Sequence, residues 1–108
     1  MTASHTLGPW TAGTHVYQFE HDRRGVYVGQ GSNTLAFCWR PEGQTDDETT
    51  LANARLIAAA PDLLAALSGT VSMIEDMLLG GLTREGLQQL CAGQLEPARA
   101  AISKATKS

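Results

Sequence analysis

An α+β fold is expected of this chain, with a small antiparallel sheet followed by helices. Both tryptophans, both tyrosines and both phenylalanines lie in residues 1–45, whereas residues 46–108 are rich in alanine and leucine. The apolar spacing changes at the same boundary, from short alternating runs to a 3-4-3-4 recurrence. Strands first and helices second is the order of an α+β chain, not of an alternating α/β one. With 108 residues the chain is one domain's worth, long enough for a core without disulfide or metal staples.

In the first half three short strands are expected, at residues 16–20, 26–28 and 34–40, with a weaker candidate at 10–12 entered through Gly8 and Pro9. The charged turn from His21 to Gly25 and the turn from Gly29 to Asn33 separate them. In the last strand Leu35, Phe37 and Trp39 share one face. Short strands joined by turns bearing Gly, Asp or Asn suggest an antiparallel meander, which Pro41 and Gly43 end. Gly29-Gln30-Gly31 follows a strand, as a dinucleotide-binding fingerprint would. The third glycine is missing, however, and no helix follows to offer its N-terminus to a phosphate. A hairpin turn is the better reading.

The helical half opens on Thr45, Asp46, Asp47, Glu48, Thr49 and Thr50. Hydroxyls and carboxylates ahead of an apolar-periodic run accept from orphan N–H groups and complement the helix dipole. The first helix is expected over residues 49–59, and Pro61 either starts a second helix or kinks a continuous one. Leu64, Leu67, Val71, Ile74 and Leu78 then recur at helical spacing, with Leu63, Ala66, Met73 and Met77 widening the stripe. A face this broad needs both a sheet and another helix, or a second subunit, to cover it, and a homo-oligomer is expected. Gly80 and Gly81 stop the helix. Thr83 caps a short piece through Cys91, and a last helix is expected at 96–105 with Pro97 in its first turn.

Composition narrows the function. A net charge of −3 and a pI near 5.5 argue against a duplex-DNA binder, though not against an anion site made of a few arginines. No apolar run approaches the ~20 residues that span a bilayer, and the start of the chain does not read as a secretory signal. A reduced cytosol with Cys38 and Cys91 as free thiols follows, a disulfide being the less expected state. His5, His15 and His21 have no metal-ligand spacing, and no nucleophile stands beside an obvious base, so neither a metal nor catalysis is expected. Asp46, Asp47 and Glu48 are accounted for by capping. Asn53 shares a helical stripe with Leu56, Ile57 and Ala60, where a buried amide must be hydrogen-bonded, to the protein or to a ligand. Arg23, Arg24, Arg40 and Arg55 concentrate positive charge in this part of the chain, and Arg40 adjoins Trp39. An aromatic ring beside a guanidinium can hold a base and a phosphate, although Arg40 could equally pair with Asp46 or Glu48.

Two stretches carry a resemblance. The run from Ala52 through Ala60-Pro61-Asp62 to Leu67 resembles a segment of many small phage and prophage proteins. Those proteins also open with a sequence similar to His5-Thr6-Leu7-Gly8-Pro9-Trp10, and end in one similar to residues 98–106. That likeness implies a phage-encoded protein working in the host cytoplasm. More distantly, a small sheet followed by a helix bearing Asn-Ala resembles the phage sponge proteins that counter Thoeris defence by binding cyclic ADP-ribose isomers or cyclic oligonucleotides without cleaving them. The resemblance implies that Asn53 contacts the ligand, Phe37 or Trp39 stacks on a base, and Arg40 or Arg55 meets phosphate, with Arg24 as a further cation of the site. The acidic run 46–48 departs from what a phosphate pocket wants. The expected function is therefore sequestration of a nucleotide immune signal, by a chain that needs no cofactor and is not an enzyme. The alternative is a protein that binds and inhibits a host defence protein, such as an anti-CRISPR or restriction antagonist.

Overall fold

The computed structural model describes residues 4–80 and 83–106. Four strands, β1 (Thr11–Ala12), β2 (Tyr17–Gln18), β3 (Arg24–Gln30) and β4 (Asn33–Trp39), precede three helices, α1 (Glu48–Ala58), α2 (Ala60–Leu79) and α3 (Arg84–Thr106). The α+β expectation holds, with an antiparallel sheet first and helices after it. β3 is central: β4 lies along one edge, and β1 and β2 share the other as two pieces of one interrupted strand. Thr11 pairs with Gly29 and Ala12 with Val28, while Tyr17 pairs with Gly25 and Gln18 with Arg24. Residues 13–16 bridge the gap, and Gly13 keeps the ladder going by donating its N–H to the Tyr27 carbonyl at 2.8 Å.

The Gly29–Asn33 segment is the hairpin turn its sequence suggests. Gln30 pairs with Asn33, leaving Gly31 and Ser32 as a two-residue loop. Gly31 has φ +59, in the left-handed region that a primed turn requires at its first central position. A register shift between Val28 and Gly29 leaves Leu35 as the extra residue of β4, so Phe37 and Trp39 alternate cleanly with Ala36 and Cys38 beyond it.

The core lies between one face of this sheet and α1. Val26, Val28 and Cys38 come from the strands, Ala54 and Ala58 from the helix, with Trp10, Leu51 and Ile57 packed around them. The fully buried stripe of α1 is thus Thr50, Ala54 and Ala58; of the expected Asn53, Leu56, Ile57 and Ala60, Ile57 packs at the edge of this core, whereas Leu56 and Ala60 are exposed. Small side chains win this position because they let the helix backbone come close to the sheet. Leu56 consequently turns outward, 54% exposed.

Pro61 separates two helices: α1 and α2 meet at 50°, with the proline in the first turn of α2, where its missing N–H costs nothing. Gly80, at φ 78, ends α2 as expected, while Gly81 lies outside the described residues. The expected break before a last helix does not occur. α3 runs unbroken through Pro97, and Thr83 caps it by accepting the Gly86 N–H at 3.0 Å. The reason is packing on both sides of the proline: Gln94 donates to the Ala66 carbonyl at 2.8 Å, and Lys104 pairs with Asp62 at 2.6 Å. These contacts anchor α3 to α2 before and after the lost bond. No single helix among the described residues is long and apolar enough to cross a membrane.

The segments that carry the phage resemblance meet in space. A Cβ added at Gly8 would lie 3.2 Å from Pro61 Cγ, so the arm of residues 5–10 crosses the start of α2. Gln30 donates to the Leu7 carbonyl at 2.6 Å, and Trp10 reaches the core. Packing accounts for both motifs.

Candidate functional site

On a half-covered sheet, alternation decides which side chains meet the helix and which face away. In β3 and β4 the even positions Val26, Val28, Ala36 and Cys38 take the core. Tyr27, Phe37 and Trp39 therefore stand on the opposite face, joined there by Tyr17 from β2 and by Phe19. Ring centroids connect them into one cluster: Tyr17 to Tyr27 at 5.3 Å, Tyr27 to Phe37 at 4.6 Å, Phe37 to Trp39 at 4.5 Å and Phe19 to Trp39 at 5.5 Å. His15 extends the cluster past Tyr17, at 4.5 Å. All are edge-to-face, the arrangement the ring quadrupole prefers. Among the described residues no helix covers this face, and Tyr17, Phe19, Tyr27 and Trp39 each keep 40–46% of their surface exposed.

Gly25 makes the arrangement possible. It is paired with Trp39 and Tyr17 on neighbouring strands, and a Cβ there would lie 2.6 Å from Phe37 Cζ. The ring lies across the space that a side chain would fill.

At the Trp39 end the rings run into a cationic cleft of about 460 Å³, whose lining includes His21, Arg23, Arg24, Arg40 and Glu42. That volume is in the range of small-ligand sites. Arg23 lies over the Trp39 ring, its Cζ 4.0 Å from the centroid, a cation–π contact. Arg24 has a different task. Its fork holds Asp47 at 3.1 and 2.8 Å, tying the start of β3 to the N-cap of α1. Part of the acidic run thus neutralises one arginine of the cleft, while Asp46 accepts the Thr49 N–H at 3.3 Å in the capping role expected of it. His21, next to these groups, has φ 63 and ψ 32, a left-handed conformation uncommon outside glycine.

The six residues singled out from the sequence fall into two sets. Phe37, Trp39, Arg24 and Arg40 gather at the cleft end of the sheet. Asn53 and Arg55 belong to α1, across the sheet from the rings. They flank the buried stripe on either side of Ala54, and Arg55 Nε is buried without a hydrogen-bond partner. Sequence reasoning missed Tyr17, Phe19 and Tyr27 as members of the same surface, and named Arg23 only as part of the concentrated positive charge. The signal was present: aromatics recur at 17 and 19, at 27, and at 37 and 39, always on odd positions, with Gly25 completing the row.

Among the described residues no group of three or more His, Cys, Asp or Glu could hold a metal ion. Cys38 and Cys91 are free thiols. The arrangement can stack a planar ring and meet an anion.

No curated protein and no solved structure matches the chain. Residues 1–108 match the family model described as Salmonella phage P22 protein Y8K6, and the chain therefore belongs to that phage protein family.

Proposed function

We propose that this phage protein sequesters a nucleotide signal of host defence, a cyclic nucleotide or cyclic ADP-ribose isomer, by binding it where the aromatic sheet face meets the arginine cleft. The observation that carries the reading is Arg23 lying on Trp39 at the mouth of a cleft shared with Arg40. A base arriving on the indole displaces the guanidinium, which then turns to the phosphate of the same ligand. Stacking of this kind contributes ~1–3 kcal/mol per base. The ring cluster is held by its own edge-to-face contacts, so the platform exists before the ligand arrives and little ordering cost opposes binding. Binding without turnover suits the same surface, which orients a ring and an anion.

A second reading draws on the breadth of the aromatic face. Tyrosine, tryptophan and arginine are also the residues enriched at the centre of protein interfaces. On that reading the sheet face docks on a host defence protein and inhibits it.

Native mass spectrometry of the full chain against a panel of cyclic nucleotides and cyclic ADP-ribose isomers separates the two. One ligand retained with unchanged mass is expected, with Trp39→Ala and Arg23→Ala each weakening it by about tenfold or more. A spectrum free of ligand across the panel would overturn the nucleotide reading. Capture of one stoichiometric host protein, lost in Trp39→Ala, would establish the second.

A further inference from the structure

We infer that the chain pairs with a second copy of itself through one side of the α2–α3 hairpin, the two hairpins closing into a four-helix bundle. No residue of α2 is buried, although it is the most apolar helix of the chain. Leu64, Leu67, Val71, Ile74 and Leu78 form a row at 3-4-3-4 spacing, yet they remain between 46% and 82% exposed. That is the seam spacing of helices that interlock knobs into holes.

The geometry fixes which way the row points. α2 faces α3 through Ala66 and Thr70, whose carbonyl and hydroxyl meet Gln94 Nε2 at 2.8 and 3.2 Å. Lys104 meets Asp62 further along, so the two helices are antiparallel. The exposed row of α2 is displaced by one residue, about 100°, from the row that meets α3. On α3 the exposed apolar residues Leu95 and Ile102, 43% and 56% exposed, are likewise one residue beyond Gln94 and the buried Ala101. In antiparallel helices a one-residue step rotates both rows toward the same side. The hairpin therefore presents one continuous apolar side built from both helices. Two contact faces about 100° apart are what a helix carries in a four-helix bundle, where it touches two neighbours.

The area points to the occupant. The five residues of α2 with Leu95 and Ile102 are 43–82% exposed, and their open surface is on the order of the ~800 Å² each partner contributes to a standard stable interface. This exceeds the ~300–600 Å² of the largest apolar patch on a typical monomer. The row carries no charge, and an uncharged row is self-complementary when it meets its own copy about a twofold axis. The proportions agree. The chain extends 61 × 35 × 22 Å with a radius of gyration of 18.1 Å, against about 13 Å for a compact chain of this length. A projecting hairpin of two long helices is half of a bundle.

Sedimentation velocity on the full chain tests this, with the double variant Leu67→Lys/Ile74→Lys and the control Ser72→Lys, which adds charge on another side of α2. A dimer at micromolar concentration is expected for the native chain and for Ser72→Lys. The double variant is expected to sediment as a monomer with its helical circular dichroism retained, since both replaced side chains are already exposed. A native chain that stays monomeric to 100-fold higher concentration overturns the proposal, as does a double variant that remains dimeric. So does a monomer that floats with phosphatidylcholine/phosphatidylglycerol vesicles, because the row would then serve a lipid surface. If the double variant loses its helicity, Ile102→Lys decides alone: a monomer supports the pairing, and a dimer overturns it.

Discussion

Where α1 lies on the sheet the buried side chains are small: Val26, Val28 and Ala54 are fully buried and Ala58 is 2% exposed. Along α2 the side chains are large, and Leu67 and Leu78 are 63% and 82% exposed. The two regions thus use apolar residues for different ends. Small residues between a helix and a sheet allow close backbone approach, and the stability comes from tight contact of many atoms. Large residues on the open side of a helix are only partly buried, and covering the rest contributes a fraction of the ~1.5–3 kcal/mol that full burial gives. The same division recurs across the sheet itself, whose valine face is closed and whose aromatic face is open. The tightly buried core is concentrated in one layer, and two apolar surfaces outside it stay open.

The sharpest way to break that comparison is to exchange the two kinds of residue. Ala54→Leu places three more carbons where α1 touches Val26 and Val28. Overpacking of a closed site costs ~1–3 kcal/mol or more, and the upper end is expected here because both backbones must move. Leu79→Ala on α2, at a position 85% exposed and off the proposed seam, is expected to change stability by less than about 0.5 kcal/mol. Urea denaturation measures both. Equal effects would show that the two regions are not built differently.

A smaller and opposite effect is expected at Thr50, in the first turn of α1. It is fully buried, and its Oγ1 has no hydrogen-bond partner. A buried hydroxyl left unpaired costs ~1–3 kcal/mol, and valine has nearly the same shape. Thr50→Val should therefore stabilise the fold by about 1 kcal/mol, raising Tm by about 4–8 °C. A fall in Tm would mean that the hydroxyl does make a bond, and that the closed layer depends on polar contacts as well as small ones.

What can be read from the chain divides along local and non-local lines. The element order, the Gly31 turn and the Pro61 boundary are legible because turn chemistry and apolar period are properties of neighbouring residues. Pro97 misleads because its cost is local, whereas the contacts at Gln94 and Lys104 that carry α3 past it come from α2. The core stripe of α1 misleads for a related reason: hydrophobicity favours Leu56, and only the closeness of the sheet selects Ala54 and Ala58. At the candidate site Phe37, Trp39 and Arg40 can be found from adjacency in sequence. Tyr17, Tyr27 and the Arg23-Arg24 pair join them only through strand register. Asn53 and Arg55 separate from them because a strand has two faces, and α1 takes the other one.

The smallest expected effect tests how closed the α1 layer is. Cys38 is 8% exposed, and its Sγ–H donates to the Thr50 carbonyl at 3.8 Å. Burial pushes its thiol pKa above the ordinary value, because the thiolate loses its hydration there. The folded state thus holds this proton more tightly than the unfolded chain does. The stability this contributes is complete below the unfolded thiol's pKa, ~8.5, and is lost as pH rises through the higher folded value. Stability should be flat with respect to this group from pH 6 to about 8 and decline above that, and Cys38→Ala should flatten the decline. Cys91, partly exposed on α3, should react with a thiol reagent at neutral pH well before Cys38 does. Equal reaction rates at the two thiols would mean that the layer between α1 and the sheet opens as readily as the hairpin surface, and the contrast between the two regions would then lie in their composition alone.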